Sequence, residues 1–224
     1  VIERMHMSEI TICYGMTETA PVSAQSSTED SVEQRVSTVG RVHPHLEVKI
    51  VDESGKVVPR GQLGELCVRG YSVMLGYWED QDKTQEVIDT ARWMHTGDIA
   101  EMDHEGFVKI KGRIKDVVIR GGENLFPKEI EDFLYTHPAV SDVQVIGVPD
   151  HKYGEELCAC IILHENDPCT EDVIREYCAE HISHNKVPRY VRFFHEFPMT
   201  ASGKAQKFKL REFMREELNL KEIA

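Results

Sequence analysis

The chain has 224 residues, enough for one large domain or two small ones. Hydrophobic residues at 41% and charged residues at 29% suit a packed soluble core and exclude intrinsic disorder. A formal net charge of -13 excludes nonspecific nucleic-acid binding, which needs clustered Lys and Arg, and no apolar run approaches the roughly 18 residues that span a bilayer.

Residues 1–7 are too short and too polar for a secretory signal, so any targeting segment is expected upstream. Up to about residue 113 the texture is loops and short strands. Residues 26–31 read as a polar surface loop. Leu46, Val48 and Ile50 alternate with Glu47 and Lys49, the pattern of a half-buried strand. Asp52-Glu53-Ser54-Gly55 signals a turn, Val57 and Val58 begin a return strand, and Leu66 and Val68 alternate again. Residues 99–102 and 107–110 flank Asp103-His104-Glu105-Gly106 as a second hairpin. These features predict a mostly antiparallel β subdomain over residues 1–113.

From residue 114 onward helices mix with strands. Residues 117–119 form a short strand, Pro127 opens a helix with Ile130, Phe133 and Leu134 on one face, and His137-Pro138 ends it. Residues 140–148 and 156–163 read as strands. Thr170 caps a helix whose apolar face holds Val173, Ile174, Tyr177 and Cys178. A strand at 190–194, a flexible loop at 198–204 and a last helix marked by Leu210, Phe213 and Met214 complete a small α+β domain over 114–224.

Six cysteines without a C-x-x-C pair, several inside apolar patterns, indicate a reducing compartment rather than a disulfide framework. His181 and His184 are close in sequence but read as structural or exposed rather than as zinc ligands. Basic residues gather at Lys204, Lys207, Lys209, Arg211 and Arg215; the last four are expected on a solvated helix face.

Five segments carry chemistry. In Tyr14-Gly15-Met16-Thr17-Glu18-Thr19 the ring can stack on a base, Gly15 permits close backbone approach, Thr17 can bind a phosphate and Glu18 a hard cation; a plain turn with a polar cap fits the same residues. Gly64-Glu65-Leu66-Cys67-Val68-Arg69-Gly70, followed by Gly76-Tyr77, reads as a buried strand between glycine turns. Thr96-Gly97-Asp98 offers a loop carboxylate that could accept two hydroxyls of a ribose diol, or simply form a turn. Arg113 in Gly112-Arg113-Ile114-Lys115-Asp116 could clamp ribose or phosphate oxygens; the change of texture makes this stretch a candidate hinge, and Gly121-Gly122 allows unusual backbone angles. Lys204, after Gly203, could deliver a point charge into a closing site or stand exposed before the last helix.

The order Y-G-x-T-E, G-E-L-x-V-x-G, T-G-D, G-R-x-K-D and terminal G-K, covering nearly the whole chain, resembles the adenylate-forming superfamily of acyl-CoA synthetases, luciferases and adenylation domains. Within it, the chain looks similar to medium-chain fatty acyl-CoA synthetases of the animal mitochondrial type. The resemblance implies the end of a large AMP-binding domain (1–113), a mobile C-terminal domain (114–224) and a hinge at Lys115. It implies that a fatty acid, ATP and CoA are the substrates, with Mg²⁺ as cofactor. Tyr14, with Gly15, would pack on adenine, Thr17 would touch the α-phosphate and Glu18 would hold Mg²⁺. Asp98 would bind the ribose hydroxyls beside Arg113. Lys204 would reach the carboxylate and α-phosphate during adenylation, and Arg120, Gly121 and Gly122 would border the CoA channel. It also implies a mitochondrial-matrix address, with the transit peptide upstream.

One departure stands out: Asn124 occupies a position where some relatives carry a phosphate-contacting Arg. The family's phosphate loop, T-S-G-T-T-G-x-P-K in form, does not occur in these residues, so the chain alone is expected to lack synthetase activity. An aryl-CoA ligase, another adenylating enzyme or a truncated non-catalytic binding module are the competing expectations. No phosphopantetheine carrier signature follows Lys204, which weighs against a peptide synthetase.

Overall fold

The computed structural model describes residues 1–165, 167–201 and 203–220. The chain divides into two compact units, Val1–Ile114 and Lys115–Ala224.

The first unit opens with a short helix, α1 (Ile2–Met5), and three short antiparallel strands in the order β1 (Cys13–Tyr14), β2 (Ala24–Gln25) and β3 (Arg41–Val42). Between β2 and β3 lies α2 (Val32–Ser37), whose start is a reciprocal cap. Ser31 Oγ accepts from the Gln34 backbone N–H at 3.2 Å, and Gln34 Oε1 accepts from the Ser31 N–H at 3.0 Å. A four-stranded antiparallel meander follows: β4 (Leu46–Val51), β5 (Gly64–Gly70), β6 (Met94–Met102) and β7 (Val108–Arg113). Helix α3 (Gln81–Val87), capped by Asp80, is inserted between β5 and β6. Alternation places Ile50, Leu66, Val68, Met94, Ala100 and Val108 in one apolar core. Burial of each such side chain stabilises the unit by roughly 1.5–3 kcal/mol.

Three expectations for this unit need correction. Val57 makes one isolated bridge to Val51, and the return strand begins only at Gly64. A Cβ at Gly64 would lie 2.3 Å from the Val51 carbonyl oxygen, so the glycine marks where the strands close up. Ser26 is buried, because its hydroxyl accepts from the Ile12 N–H at 2.9 Å and donates back to the Ile12 carbonyl at 3.3 Å. Thr96-Gly97-Asp98 lies within β6 and not in a loop.

The second unit is built on a five-stranded sheet. Its strands are β8 (Val118–Arg120), β9 (Glu123–Leu125), β10 (Val140–Asp150), β11 (Gly154–Leu163) and β12 (Tyr190–Phe193). Strand β11 pairs antiparallel with β10 along its whole length; its other edge takes β12 in parallel and touches β8 at Gly154. Helices α4 (Pro127–Leu134), α5 (Glu171–His181) and α6 (Lys207–Glu217) cover the sheet. Parity decides which face each residue serves. Leu157, Ala159 and Ile161 join Ile130 and Leu134 of α4 and Ile174 and Cys178 of α5, while Cys158 and Cys160 join Leu210 and Met214 of α6. A strand buried on both faces reads as a continuous apolar run, and residues 157–162 do.

The helices start where the sequence signals. Pro127 is the first residue of α4, and Thr170 Oγ1 accepts from the Val173 N–H at 3.4 Å at the start of α5. Helix α4 stops at Leu134, before His137-Pro138. Val173, read on the apolar face of its helix, is 44% exposed, and Phe213, one of the markers of the last helix, is 51% exposed; the buried residues there are Ile174 and Cys178 in α5 and Leu210 and Met214 in α6. The basic run is not simply a solvated face. Lys207 Nζ bonds Glu131 Oε1 at 2.6 Å, and Arg211 Nη2 bonds Asp116 Oδ1 at 2.7 Å.

Candidate functional site

Within the first unit the structure gathers Tyr14, Asp98 and Arg113 around one carboxylate. The Tyr14 hydroxyl donates to Asp98 Oδ2 at 2.5 Å, and Arg113 Nε donates to Asp98 Oδ1 at 2.9 Å. Asp98 is buried and Arg113 is about half exposed. Both carboxylate oxygens thus accept a hydrogen bond, and a carboxylate, an acceptor-only group with about four lone-pair sites, can take in addition the two hydroxyls of a vicinal diol. Burial, followed by the hydrogen bond to Asp98, pushes the Tyr14 phenol well above its ordinary range, so it is a donor at neutral pH.

Residues 17–19 form a single 3₁₀ turn after Tyr14-Gly15. Glu18 Oε1 accepts from the Tyr77 hydroxyl at 2.9 Å, and the Glu18 carbonyl accepts from the Met74 N–H at 2.8 Å. Thr17 is exposed, whereas Thr19 is buried and bonds the Met16 backbone. A partly exposed carboxylate fits Mg²⁺, which is usually held by one or two carboxylates plus substrate phosphates. Gly15 has an internal reason to be glycine: a Cβ there would lie 1.6 Å from the Pro21 carbonyl oxygen.

Two residues of the 64–77 stretch, read from sequence as architecture, bond to the candidate segments. Tyr77, in Gly76-Tyr77, bonds Glu18, and its phenol is raised by burial and by that bond. Glu65 Oε1 accepts from the Gly97 N–H at 3.0 Å, and Oε2 accepts from His95 Nδ1 at 2.7 Å. No periodicity marks either contact, because both join residues 30 or more apart along the chain. Cys67 Sγ lies 3.6 Å from His95 Nδ1, and ligand atoms of Glu65, Cys67 and His95 fall within 4.8 Å of one another. Both Glu65 oxygens already accept hydrogen bonds, and burial pushes the Cys67 thiol up to about 12, so the carboxylate is committed to His95 and Gly97 and the thiol beside them stays protonated.

In the second unit, Lys115 and Asp116 close a 3₁₀ turn, and the Lys115 carbonyl accepts from Arg211 at 3.5 Å. Arg120 is committed to an ion pair with the buried Glu156 and sits over the Tyr153 ring, 4.5 Å from its centroid. Gly121 (φ 59°) donates its N–H to the Tyr153 carbonyl at 2.8 Å, and Gly122 also has positive φ, so this exposed turn needs glycine. Asn124 is exposed on β9. Lys204 is exposed at the end of a tight hairpin and not in a loose loop: the Thr200 N–H donates to the Lys204 carbonyl at 2.8 Å, the Lys204 N–H to Thr200 Oγ1 at 3.0 Å, and Met199 bridges Ala205. Ser202, part of the same motif, lies outside the described residues.

Two family models match. Residues 1–78 match the AMP-binding enzyme model, and residues 129–204 match the AMP-binding enzyme C-terminal domain. The chain belongs to the AMP-binding enzyme family. Among curated relatives, it is 52% identical over 221 residues to the medium-chain acyl-CoA ligase ACSF2, mitochondrial, of Bos taurus, covering 98% of this chain and 36% of that protein. It is 54% identical over 221 residues to YngI of Bacillus subtilis (strain 168), covering 98% of this chain and 40% of that protein. Among solved structures, ATP-bound MatB from Rhodopseudomonas palustris superposes with a TM-score of 0.85 at 33% identity, over 93% of this chain and 41% of that one. The chain therefore spans well under half the length of the family members it matches.

Proposed function

We propose that this chain is the C-terminal portion of an AMP-forming acyl-CoA synthetase that activates a medium-chain fatty acid. The observation that carries this reading is the Asp98 carboxylate held between the Tyr14 hydroxyl and Arg113, three residues from three separate family motifs meeting at one point. In this reading Asp98 accepts the ribose diol, Arg113 adds positive charge beside it, and the Tyr14 ring, anchored through its hydroxyl, lies along adenine. Thr17 offers a hydroxyl to the α-phosphate. Glu18, oriented by Tyr77, holds Mg²⁺, which neutralises phosphate charge when bound.

In the first half-reaction a fatty-acid carboxylate oxygen attacks the α-phosphorus of ATP. The bond to the bridging oxygen breaks, and pyrophosphate leaves with the electron pair. Negative charge grows around phosphorus, and the Lys204 ammonium stabilises it; losing such a contact costs on the order of 10²–10³ in rate. In the second, the CoA thiol attacks the acyl carbon and AMP leaves, with Arg120, Gly121 and Gly122 bordering the path. Lys115, at the start of the C-terminal domain, serves as the hinge that presents each set in turn. The word mitochondrial in the names of the animal relatives supports a mitochondrial address, within which we propose the matrix; a fluorescent fusion of the full-length protein tests it.

The test is Lys204→Ala in the full-length protein. Adenylation, read as pyrophosphate release, falls by about 10²-fold or more, while CoA transfer from supplied octanoyl-adenylate survives. Equal loss of both half-reactions would contradict the reading.

A further inference from the structure

The T-G-D segment is a bulge, and its register shows what holds it. Strands β5 and β6 pair Glu65 with Ile99 and Cys67 with His95. Leu66 alone therefore faces three residues, Thr96, Gly97 and Asp98, two more than a regular antiparallel ladder allows. Gly97 takes φ 70° there, and a Cβ on it would meet nothing within 4 Å, so glycine is required for backbone angle and not for space.

An extruded segment loses ladder bonds, and each buried polar group must find another partner. Two side chains supply them. Thr96 Oγ1 donates to the Leu66 carbonyl at 2.7 Å and accepts from the Asp98 N–H at 3.1 Å. Glu65 Oε1 accepts from the Gly97 N–H at 3.0 Å, while Oε2 accepts from His95 Nδ1 at 2.7 Å. The one carboxylate thus grips both sides of Thr96, at the last paired residue and at the apex of the bulge. Charge-assisted bonds of this kind are about twice as strong as neutral ones.

We propose that Glu65 is a positioning residue for nucleotide binding: by clamping Gly97 and His95 it holds the bulge that aims Asp98 at the ribose hydroxyls. The proposal rests on the ribose assignment for Asp98 made above. Glu65 touches no substrate; it sets the angle and rigidity of the segment that does.

The experiment compares ATP with 2′,3′-dideoxy-ATP as substrate in the full-length protein. A site built around a ribose diol prefers ATP, because the analogue leaves the Asp98 carboxylate unpaired. In Glu65→Ala, kcat/KM for ATP falls through KM while the analogue changes little, so the preference drops by about tenfold or more. Glu65→Gln, whose Oε1 can still accept from Gly97, keeps most of the preference. Glu65→Asp keeps the charge but draws it back from the bulge, and gives the same loss should Glu65→Ala fail to fold. Equal losses for both nucleotides in Glu65→Ala and Glu65→Asp overturn the proposal, provided Asp98→Ala alone abolishes the preference. If Asp98→Ala leaves the preference intact, the ribose assignment falls and the proposal falls with it.

Discussion

At Gly15 and Tyr14 the first unit shows how much a single residue can decide. Gly15 resembles a ligand-approach glycine in sequence, yet the Pro21 carbonyl occupies the space a Cβ would need. Gly15→Ala is expected to lower stability by about 1–3 kcal/mol through overpacking, read by urea denaturation, before any effect on nucleotide binding is measured. Tyr14 carries a pH signature. Its folded-state phenol stays protonated above the range near pH ~10 where an unfolded tyrosine ionises. Unfolding there releases a proton, so this contribution is complete below that pH and is lost as pH rises. Tyr14→Phe should lose about 1 kcal/mol at neutral pH and show a shallower alkaline decline; an unchanged alkaline slope in denaturation curves would contradict the assignment. Among the cysteines, Cys13 is exposed, whereas Cys67, Cys158, Cys160 and Cys178 are buried and free. A thiol reagent at pH ~8 should label Cys13 rapidly and those four only on unfolding, which mass spectrometry of tryptic peptides checks.

Elements were legible where one period and one buried face rule. Strand β4, the Pro127 start of α4 and the Thr170 cap of α5 could be read from local pattern because their causes are local. The T-G-D bulge could not, since a bulge is a mismatch between two strands and belongs to neither alone. The same applies to α6. Lys207 looks like a surface cation until Glu131 of α4 is brought to it; Glu131 Oε1 also accepts from the Val145 N–H at 2.7 Å, and Lys207 Nζ donates to the Val145 carbonyl at 3.2 Å. This node ties the helix after Lys204 to α4 and β10. Glu131→Ala strands both an ammonium and an amide, and should destabilise residues 115–224 by roughly 2–3 kcal/mol. Urea denaturation reads it, and a loss below ~0.5 kcal/mol, the lower end for one hydrogen bond, would show the pair to be peripheral.

At the scale of the molecule, each unit has its own apolar core: one in Val1–Ile114, and two on opposite faces of the β8–β12 sheet in Lys115–Ala224. Residues 115–224 are accordingly expected to fold when expressed alone, with a cooperative urea transition and dispersed amide NMR signals; a collapsed, noncooperative product would contradict this. The purified 224-residue chain is expected to form no AMP or pyrophosphate from ATP and octanoate, and activity above background would remove the fragment reading. The sequence by itself determined the α+β class, most strands, two helix starts and the family, because periodicity, capping chemistry and short ordered motifs are written along the chain. Only the tertiary structure decided that Asp98 sits on a strand bulge, that Glu65 bonds Gly97 and Tyr77 bonds Glu18, and that Arg120 and Lys207 are committed to ion pairs. Those facts depend on which residues from distant segments meet, and linear order does not carry cross-strand register or side-chain partners.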